Sequence, residues 1–292
     1  MKLRLPATSA NLGCGYDTLG LALSLYNTFE FWESETNICL DSDLDPADHL
    51  VFRAMQEAQR TLSFPQKNAT LRVETGIPIK SGLGSSAACV AAGIMIAFLL
   101  QGKKIDKNQV LSIGTQIEGH PDNLAPLLYG GLTAALASET GVFAQAFPID
   151  ASIEPLIVVP RFSFSTEEAR RALPEQIPVE DAVFNLTRIG LLIGALGEGN
   201  LDDIDTFTED RLHEPYRLPL LRELDPNYRR VREKMRTLAK GVSLSGAGPS
   251  LIAFTQDADA RDTMREWLQA EQLDYEVPNV GIERIGYRLE TQ

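Results

Sequence analysis

Residues 77–94 read IPIKSGLGSSAACVAAGI, and this stretch decides how the fold can be interpreted. Residues 69–79, ATLRVETGIPI, lead into this stretch and alternate as a strand does. An apolar helix is expected to begin near Ser85. Glycines in the connecting turn allow close backbone approach, and the first N–H groups of a helix have no partner within it. Such a helix start can bind an anion such as phosphate, but the motif alone equally fits a helix cap with a glycine turn.

The two common nucleotide-binding loops fit this stretch poorly. GLGSSA matches the G-x-G-x-x-A pattern, but Pro78, Lys80 and Ser81 separate the strand from the first glycine. The preceding strand also alternates as a half-exposed one, whereas the dinucleotide fingerprint follows a buried strand. The G-x-x-x-x-G-K-[ST] pattern does not occur in the sequence.

Composition limits the classes of partner. The chain has 292 residues, 44% of them hydrophobic and 23% charged, which is typical of a globular protein. The net charge of -13 argues against nucleic-acid and anionic-membrane partners, since these are bound by basic surfaces. The cysteines, Cys14, Cys39 and Cys89, form no CxxC pair, which favours a reducing cytoplasm. We find no signal-peptide pattern, and the apolar run 87–100 is too short to span a bilayer.

Mixed strands and helices along the chain predict two α+β layers rather than a repeating βαβ arrangement. Asp106 is expected to cap a helix that ends at Gly119, and Ser165 with Glu168 is typical of a capping box. The apolar segment PLIVVP, bounded by prolines, is predicted to be a strand near a domain boundary.

Two further glycine-rich loops accompany the first. PATSANLGCGYDTLG occupies residues 6–20, and SLSGAGPSLIAF lies between two predicted strands at residues 243–254. Each could be a plain tight turn, but the three together, in this order and wording, are far more specific than any one of them.

Together these motifs resemble the galactokinase, homoserine kinase, mevalonate kinase and phosphomevalonate kinase superfamily, along nearly the whole chain. PATSANLG and EGHPDNLAPLLYGG (residues 118–131) are similar to the homoserine kinase family in particular. The resemblance implies an α+β fold with a ribosomal-protein-S5-like domain at residues 1–155 and a ferredoxin-like domain at residues 156–292. The active site would lie between them, with residues 245–250 bracing the glycine-rich loop that begins at Gly82.

The resemblance implies transfer of the γ-phosphoryl group of ATP to the side-chain hydroxyl of L-homoserine, giving O-phospho-L-homoserine for threonine biosynthesis. Ser86 and Glu118 would hold Mg²⁺, which prefers oxygen ligands. The residues expected to wrap the phosphates are Lys80, Ser81, Gly82, Leu83, Gly84, Ser85, Ser86 and Ala87.

The substrate is a zwitterion, so its site needs acceptors for ammonium and donors for carboxylate. Arg217, and Arg188 within an apolar helix, are the two candidates for the carboxylate. Asn123, Asn11 and Arg188 are the expected catalytic residues; Asn123 cannot act as a base, so the hydroxyl is expected to lose its proton late. Asp122 is left open as a helix cap, and His49 and His213 are expected to be ordinary histidines. The residues expected to contact the substrate are Asn11, Asp17, His120, Asn123, Arg188 and Arg217.

Three alternatives remain at this point. The chain could be another small-molecule kinase of the superfamily, of the mevalonate type, because mevalonate also carries a carboxylate. It could be a non-catalytic ligand sensor, although intact Ser86, Glu118 and glycine loops speak against this. An RNA-binding role is opposed by the charge. The sequence does not fix the oligomeric state, and a homodimer is one option.

Overall fold

The computed structural model describes residues 1–290, which form two antiparallel-dominated sheets with helices packed on them. The strands are β1 (Lys2–Ala10), β2 (Leu19–Ser34), β3 (Ile38–Cys39), β4 (Asn68–Thr75), β5 (Leu132–Ser138), β6 (Gly141–Phe147), β7 (Glu154–Pro160), β8 (Lys240–Leu244), β9 (Leu251–Thr255), β10 (Tyr275–Glu276) and β11 (Arg288–Glu290). The helices are α1 (Leu50–Thr61), α2 (Ser85–Leu100), α3 (Lys107–Glu118), α4 (Leu124–Tyr129), α5 (Thr166–Arg171), α6 (Val179–Glu198), α7 (Ile204–Phe207), α8 (Glu214–Leu224), α9 (Tyr228–Arg236) and α10 (Ala260–Ala270).

The first sheet is organised around the long strand β2. One edge of β2 pairs with β1, while its other edge pairs with β5 near the start and with β4 near the end. Beyond β1 the sheet is completed by β11, so the end of the described chain returns to the first sheet. The loop between β1 and β2 therefore lies at the end of the sheet where the start of β2 pairs with β5. This loop belongs to the glycine-rich motif at residues 6–20.

The second sheet has the order β10-β7-β9-β8, and both of its faces are buried. Alternation along β7 sends Leu156 and Val158 to one face, where they pack with α8, α9 and α10 residues. It sends Ile157 and Val159 to the other face, which joins the core of the first sheet. The second sheet is thus the layer that holds the two halves together.

Helix α2 explains why the opening stretch matters for the fold. It is apolar on all sides and almost wholly buried, as expected of a helix in the centre of a protein. Gly93 permits close packing against α1, because a Cβ there would lie 2.1 Å from the carbonyl oxygen of Val51. Because α2 is buried, the position of its first turn is fixed: it lies at the edge of the core, where the glycine-rich loop at residues 80–87 joins it.

Most predicted elements are confirmed, including the capping box of Ser165 and Glu168 and the strand at PLIVVP. The β5–β6 hairpin was not identified from the sequence, because its β6 strand is half exposed and carries little alternation. The division at residue 155 stays a prediction. No helix within residues 1–290 has the length and apolar character needed to cross a membrane.

Asp106 caps helix α3, as the sequence predicts: its carboxylate accepts hydrogen bonds from the N–H groups of Asn108 and Gln109. Replacing Asp106 with alanine leaves these donors without their side-chain partner. We expect a loss of about 1 kcal/mol in the free energy of unfolding. Urea unfolding measures this, and an unchanged midpoint with an unchanged slope would contradict the assigned cap.

Candidate active site

The three glycine-rich loops meet around one cleft of about 480 Å³. The loop between β1 and β2 (residues 11–18, the first loop) forms one wall, and residues 80–87 (the phosphate loop) form its floor. Residues 245–250 (the third loop), the connection between α3 and α4, and helix α5 complete it. The cleft thus gathers segments from the start, middle and end of the chain.

The phosphate loop ends in the exposed first turn of α2. Gly82 and Gly84 have φ of +80° and +73°, a conformation that favours glycine, and Gly84 is the residue before the helix. No side chain caps this helix start, so its first N–H groups face the cleft. All eight residues predicted to wrap phosphates line the cleft: Lys80, Ser81, Gly82, Leu83, Gly84, Ser85, Ser86 and Ala87.

The third loop lies directly against the phosphate loop, as predicted. The Ser245 hydroxyl donates to the carbonyl oxygen of Gly82 at 2.7 Å, and Ser250 N donates to Ser81 O at 3.1 Å. A Cβ on Gly82 would lie 2.3 Å from Ser245 O and 2.7 Å from Gly248 O. Glycine is required at this position for space as well as for conformation.

Asn11 holds the first and third loops together. Its side-chain N–H donates to Gly246 O at 2.7 Å, and its side-chain oxygen accepts from the N–H of Asp17 at 2.9 Å. Asn11 lines the cleft but is only 3% exposed. In this structure both ends of its amide are engaged by the protein and fix the position of Asp17, and the direct role of Asn11 stays a prediction.

Asn123 lies beside the phosphate loop. The Thr8 hydroxyl donates to its side-chain oxygen at 2.8 Å, and a Cβ on Gly84 would lie 3.1 Å from the same oxygen. The Asn123 side-chain N–H donates to Asp122 Oδ1 at 3.2 Å. Asp122 does not cap α4, because it accepts from Asn123 and bonds to His120 instead.

His120, Asp122 and Asp17 form an acceptor-rich corner of the cleft, with one ligand atom of each within 4.8 Å of the others. His120 Nδ1 lies 2.5 Å from Asp122 Oδ1. Burial lowers the pKa of His120, but the hydrogen bond and charge of Asp122 outweigh this, so the pKa is raised overall. Two carboxylates that attract a cation therefore share one place with His120, whose ring is held by Asp122.

Two arginines face this corner, and one of them was not predicted. Arg170 of α5 makes a bidentate pair with the Asp17 carboxylate, at 3.1 and 3.3 Å, and also reaches the Tyr16 hydroxyl at 3.3 Å. Burial opposes the charge of Arg170, but Asp17 raises its pKa. In the sequence, Arg170 sits beside Arg171 in a charged helix, so nothing distinguished it from a solvated residue.

Arg217 lies at the bottom of the cleft, as predicted, and is 2% exposed. Its guanidinium donates to Ala169 O at 3.2 Å and Gly246 O at 3.4 Å, and meets His213 Nδ1 at 3.2 Å. Burial lowers the pKa of Arg217. His213 is buried, and its Nε2 lies 3.0 Å from Gly13 O.

Arg188 does not line the cleft, which corrects its predicted role. Its guanidinium lies over the ring of Phe184, donates to Thr206 O and pairs with Glu209 at 3.0 Å. Asn185, one turn before Arg188 on the same helix, supports the first loop by donating to Cys14 O at 2.9 Å. The charge in the apolar helix is explained by these protein partners.

Ser86 and Glu118 meet at the open side of the phosphate loop. The Ser86 hydroxyl lies 2.7 Å from Glu118 Oε1. A hydroxyl and a carboxylate at the edge of an anion site are hard oxygen ligands of the kind Mg²⁺ prefers. The donor set therefore fits the metal that the sequence predicts there.

The far end of the cleft is more apolar and was left unassigned at the residue level. Leu44, His49, Leu50, Ile79 and Cys89 line it beyond the phosphate loop. His49 Nδ1 is buried and has no hydrogen-bond partner within residues 1–290, and burial lowers the pKa of His49. His49 therefore lines this end of the cleft, and its reading as an ordinary histidine stays a prediction.

Comparison with known proteins agrees with this geometry. The family model "GHMP kinases N terminal domain" matches residues 49–131, and "GHMP kinases C terminal" matches residues 192–272. The chain belongs to the GHMP kinase family.

Within that family, several similar proteins are named homoserine kinase. The chain is 34% identical to a homoserine kinase of Clostridium botulinum, over 98% of this chain and 97% of that protein. It is 38% identical to a homoserine kinase of Caldicellulosiruptor bescii, over 88% and 85%. The crystal structure of homoserine kinase from Cytophaga hutchinsonii superposes with a TM-score of 0.85 at 28% identity, covering 99% of this chain and 96% of that one. A mevalonate kinase structure, at 18% identity and a TM-score of 0.69, shares the fold.

Proposed function

We propose that this protein transfers the γ-phosphoryl group of ATP to the side-chain hydroxyl of L-homoserine. The observation that carries the proposal is the charge pattern of the cleft. A free helix start offers an anion site at the phosphate loop, and Asp17 paired with Arg170 offers adjacent negative and positive charges at the acceptor end. The relatives named homoserine kinase support the same reading.

The end of the cleft at the phosphate loop suits a nucleoside triphosphate. Backbone N–H groups of the first turn of α2 and the glycines of the phosphate loop bind the phosphates, with Lys80 exposed beside them. The apolar far end, with Leu44, Leu50 and Ile79, has the character of a nucleobase pocket. Although the protein is acidic overall, the backbone N–H groups of α2 and the side chain of Lys80 supply positive potential where the phosphates of ATP would bind.

The acceptor end suits an α-amino acid. The carboxylates of Asp17 and Asp122 accept from an ammonium group, while Arg170 and Arg217 donate to a carboxylate. Asp17 and Arg170 already pair with each other, so the two charges are held side by side, as in a zwitterion. An ammonium site is the feature that favours an amino acid over mevalonate, which has no such group.

The transfer itself requires mainly orientation and charge neutralisation. Mg²⁺, held by Ser86 and Glu118, would supply positive charge to the phosphates. Asn123, fixed by Thr8 against the phosphate loop, lies where the acceptor hydroxyl must approach, and we assign to it the orientation of that hydroxyl. Because an amide takes no proton, the hydroxyl proton is lost late, to an oxygen of the transferred phosphoryl group.

The test is ADP release from Mg-ATP with L-homoserine, compared with mevalonate, L-serine and no acceptor. We expect turnover that depends on L-homoserine and produces a phosphate ester of its hydroxyl. ADP release with mevalonate instead would keep the phosphate loop but overturn the acceptor site. No turnover with any acceptor would favour a ligand sensor.

Replacing Glu118 with glutamine removes the carboxylate charge but keeps the shape. We expect the Mg²⁺ concentration for half-maximal activity to rise by about 10-fold or more, because one of the two metal ligands loses its charge. Titration of activity with Mg²⁺ at fixed ATP measures this change. Glu139→Gln, in the exposed β5–β6 turn, is the matched control, and an equal effect in both variants would contradict the metal role.

Other assignments remain proposals with less specific support. A cytoplasmic location rests on the cysteine pattern, since the three thiols are free. The absence of nucleic-acid partners rests on the charge of -13, and a homodimer is compatible with every feature described above. A boundary near residue 155 agrees with the place where the chain passes to the second sheet, although β11 returns to the first.

A further inference from the structure

A second cleft, of about 690 Å³, opens behind the first loop, and we call it the rear cleft. Its walls come from α6, from residues 205–211, and from α8, α9 and β8, and within residues 1–290 it shares no lining residue with the active-site cleft. Its volume lies within the range of small-molecule sites, about 300–1,000 Å³.

The carboxylates of the rear cleft all have partners inside the protein. These acceptors and their donors are Asp205 with Gly241 N and Lys240, Glu209 with Arg188, Asp210 with the N–H groups of Leu212, His213 and Glu214, and Glu214 with Leu244 N and Arg232. Arg211 is likewise paired, with Asp181. The acidic side chains therefore offer little to a ligand cation.

Two arginines of α9, Arg232 and Arg236, line the rear cleft, and unlike the carboxylates they lack a full set of partners within the protein. Arg232 reaches Glu214 and Val242 O through one nitrogen, but its buried Nε has no acceptor among the described residues. The side chain of Arg236, one turn further along the same face, is exposed and forms no ion pair among the described residues. Burial and the charge of Arg232 both lower the pKa of Arg236. Two neighbouring guanidinium groups thus face the rear cleft. The carboxylates of Glu214, Asp205 and Glu233 lie near Arg236, and of these only Glu214 pairs with Arg232.

Apolar residues line the rear cleft beside these cations, and Arg232 donates to the carbonyl oxygen of one of them, Val242. Pro215 and Leu218 of α8 and Val242 of β8 line the rear cleft, together with the ring of Phe184. Leu218 and Val242 are 7% and 5% exposed, so they offer a ligand only the part of their surface that borders the cleft. A ligand with an oxyanion head and an apolar body would contact both parts.

We propose that the rear cleft binds a small organic oxyanion, with its phosphate or carboxylate head at Arg232 and Arg236 and its apolar body against Leu218 and Val242. This goes beyond the proposed phosphoryl transfer. The site adjoins the first loop, because a Cβ on Gly13 would lie 2.0 Å from the Thr208 carbonyl oxygen, and Asn185 joins Asp210 to Cys14 O. Occupancy of the rear cleft is therefore expected to change the KM for the acceptor bound by that loop.

The test is calorimetric titration of the full chain with phenyl phosphate and with phenylacetate, in saturating Mg-ADP so that the phosphate loop is occupied. Benzyl alcohol serves as the uncharged probe. We expect one of the two anions to bind and benzyl alcohol not to bind, and the anion that binds identifies the head group. Arg236→Gln is expected to weaken this binding by about 10-fold or more.

Two further variants separate the rear cleft from other sites. Arg229→Gln changes an exposed arginine of the same helix that pairs with Glu233, and it should bind the probe as the unaltered chain does. Arg170→Gln should also bind normally, because Arg170 lies in the other cleft. Equal binding by the unaltered chain and Arg236→Gln, binding lost in Arg170→Gln, or binding of neither anion would overturn the proposal. None of these results bears on turnover of L-homoserine.

Discussion

Replacing Gly82 with alanine is expected to lower kcat/KM for ATP by about 100-fold or more. The new Cβ would lie 2.3 Å from Ser245 O and 2.7 Å from Gly248 O, so the phosphate loop must move away from the third loop. A displacement of about 1 Å in a positioning element can cost about 100-fold in rate. Steady-state kinetics with varied ATP measure the effect, which follows from close backbone approach rather than from loss of any side chain.

A matched variant separates the cost of positive φ in an alanine from the cost of steric contact between its Cβ and the third loop. Gly102 has φ of +66°, similar to the +80° of Gly82, but a Cβ there would meet nothing within 4 Å. Gly102→Ala should therefore cost only the left-handed strain, about 1–2 kcal/mol of unfolding free energy, and leave kcat/KM unchanged. Gly82→Ala with normal kinetics, or Gly102→Ala with equally impaired kinetics, would show that the contact with the third loop does not position the phosphate loop.

The loops could be predicted from the sequence because their requirements are local. A glycine with positive φ before a helix, an N-cap such as Asp106, and a capping box each leave a mark within a few residues. The resemblance of three such loops to one superfamily then placed them in one site. Their contacts, such as Ser245 to Gly82, follow once the loops are brought together.

The acceptor end could not be predicted to the same extent, because its residues come from elements that tertiary packing orients. Arg188 drew attention as a charge in an apolar helix, yet Glu209 and the Phe184 ring account for it. Arg170 lies in a helix of six residues, and no periodicity shows which face of so short a helix meets the first loop. Asp122 and His120 show the same limit, since their pairing needs the turn geometry between α3 and α4.

The proposal that Arg170, rather than Arg188, contacts the substrate carboxylate has a measurable consequence. Arg170→Gln is expected to raise the KM for L-homoserine by about 30-fold or more, because removing one member of a bidentate charged contact costs at least about 2 kcal/mol. Its kcat should fall less, since the phosphate loop is untouched and Arg217 still reaches the carboxylate. Kinetics with varied L-homoserine at saturating Mg-ATP separate the two constants.

Arg188→Gln is the matched control, because it removes an arginine of the same chain that also pairs with a carboxylate, Glu209, but outside the cleft. It should leave the KM for L-homoserine within about 3-fold, since surface pairs of this kind contribute about 1 kcal/mol or less. Arg170→Lys should restore little, because an ammonium cannot reproduce the planar fork that Asp17 and a carboxylate share. A larger rise in KM for Arg188→Gln than for Arg170→Gln would return the carboxylate to Arg188 and would mean that α6 turns into the cleft when substrate binds.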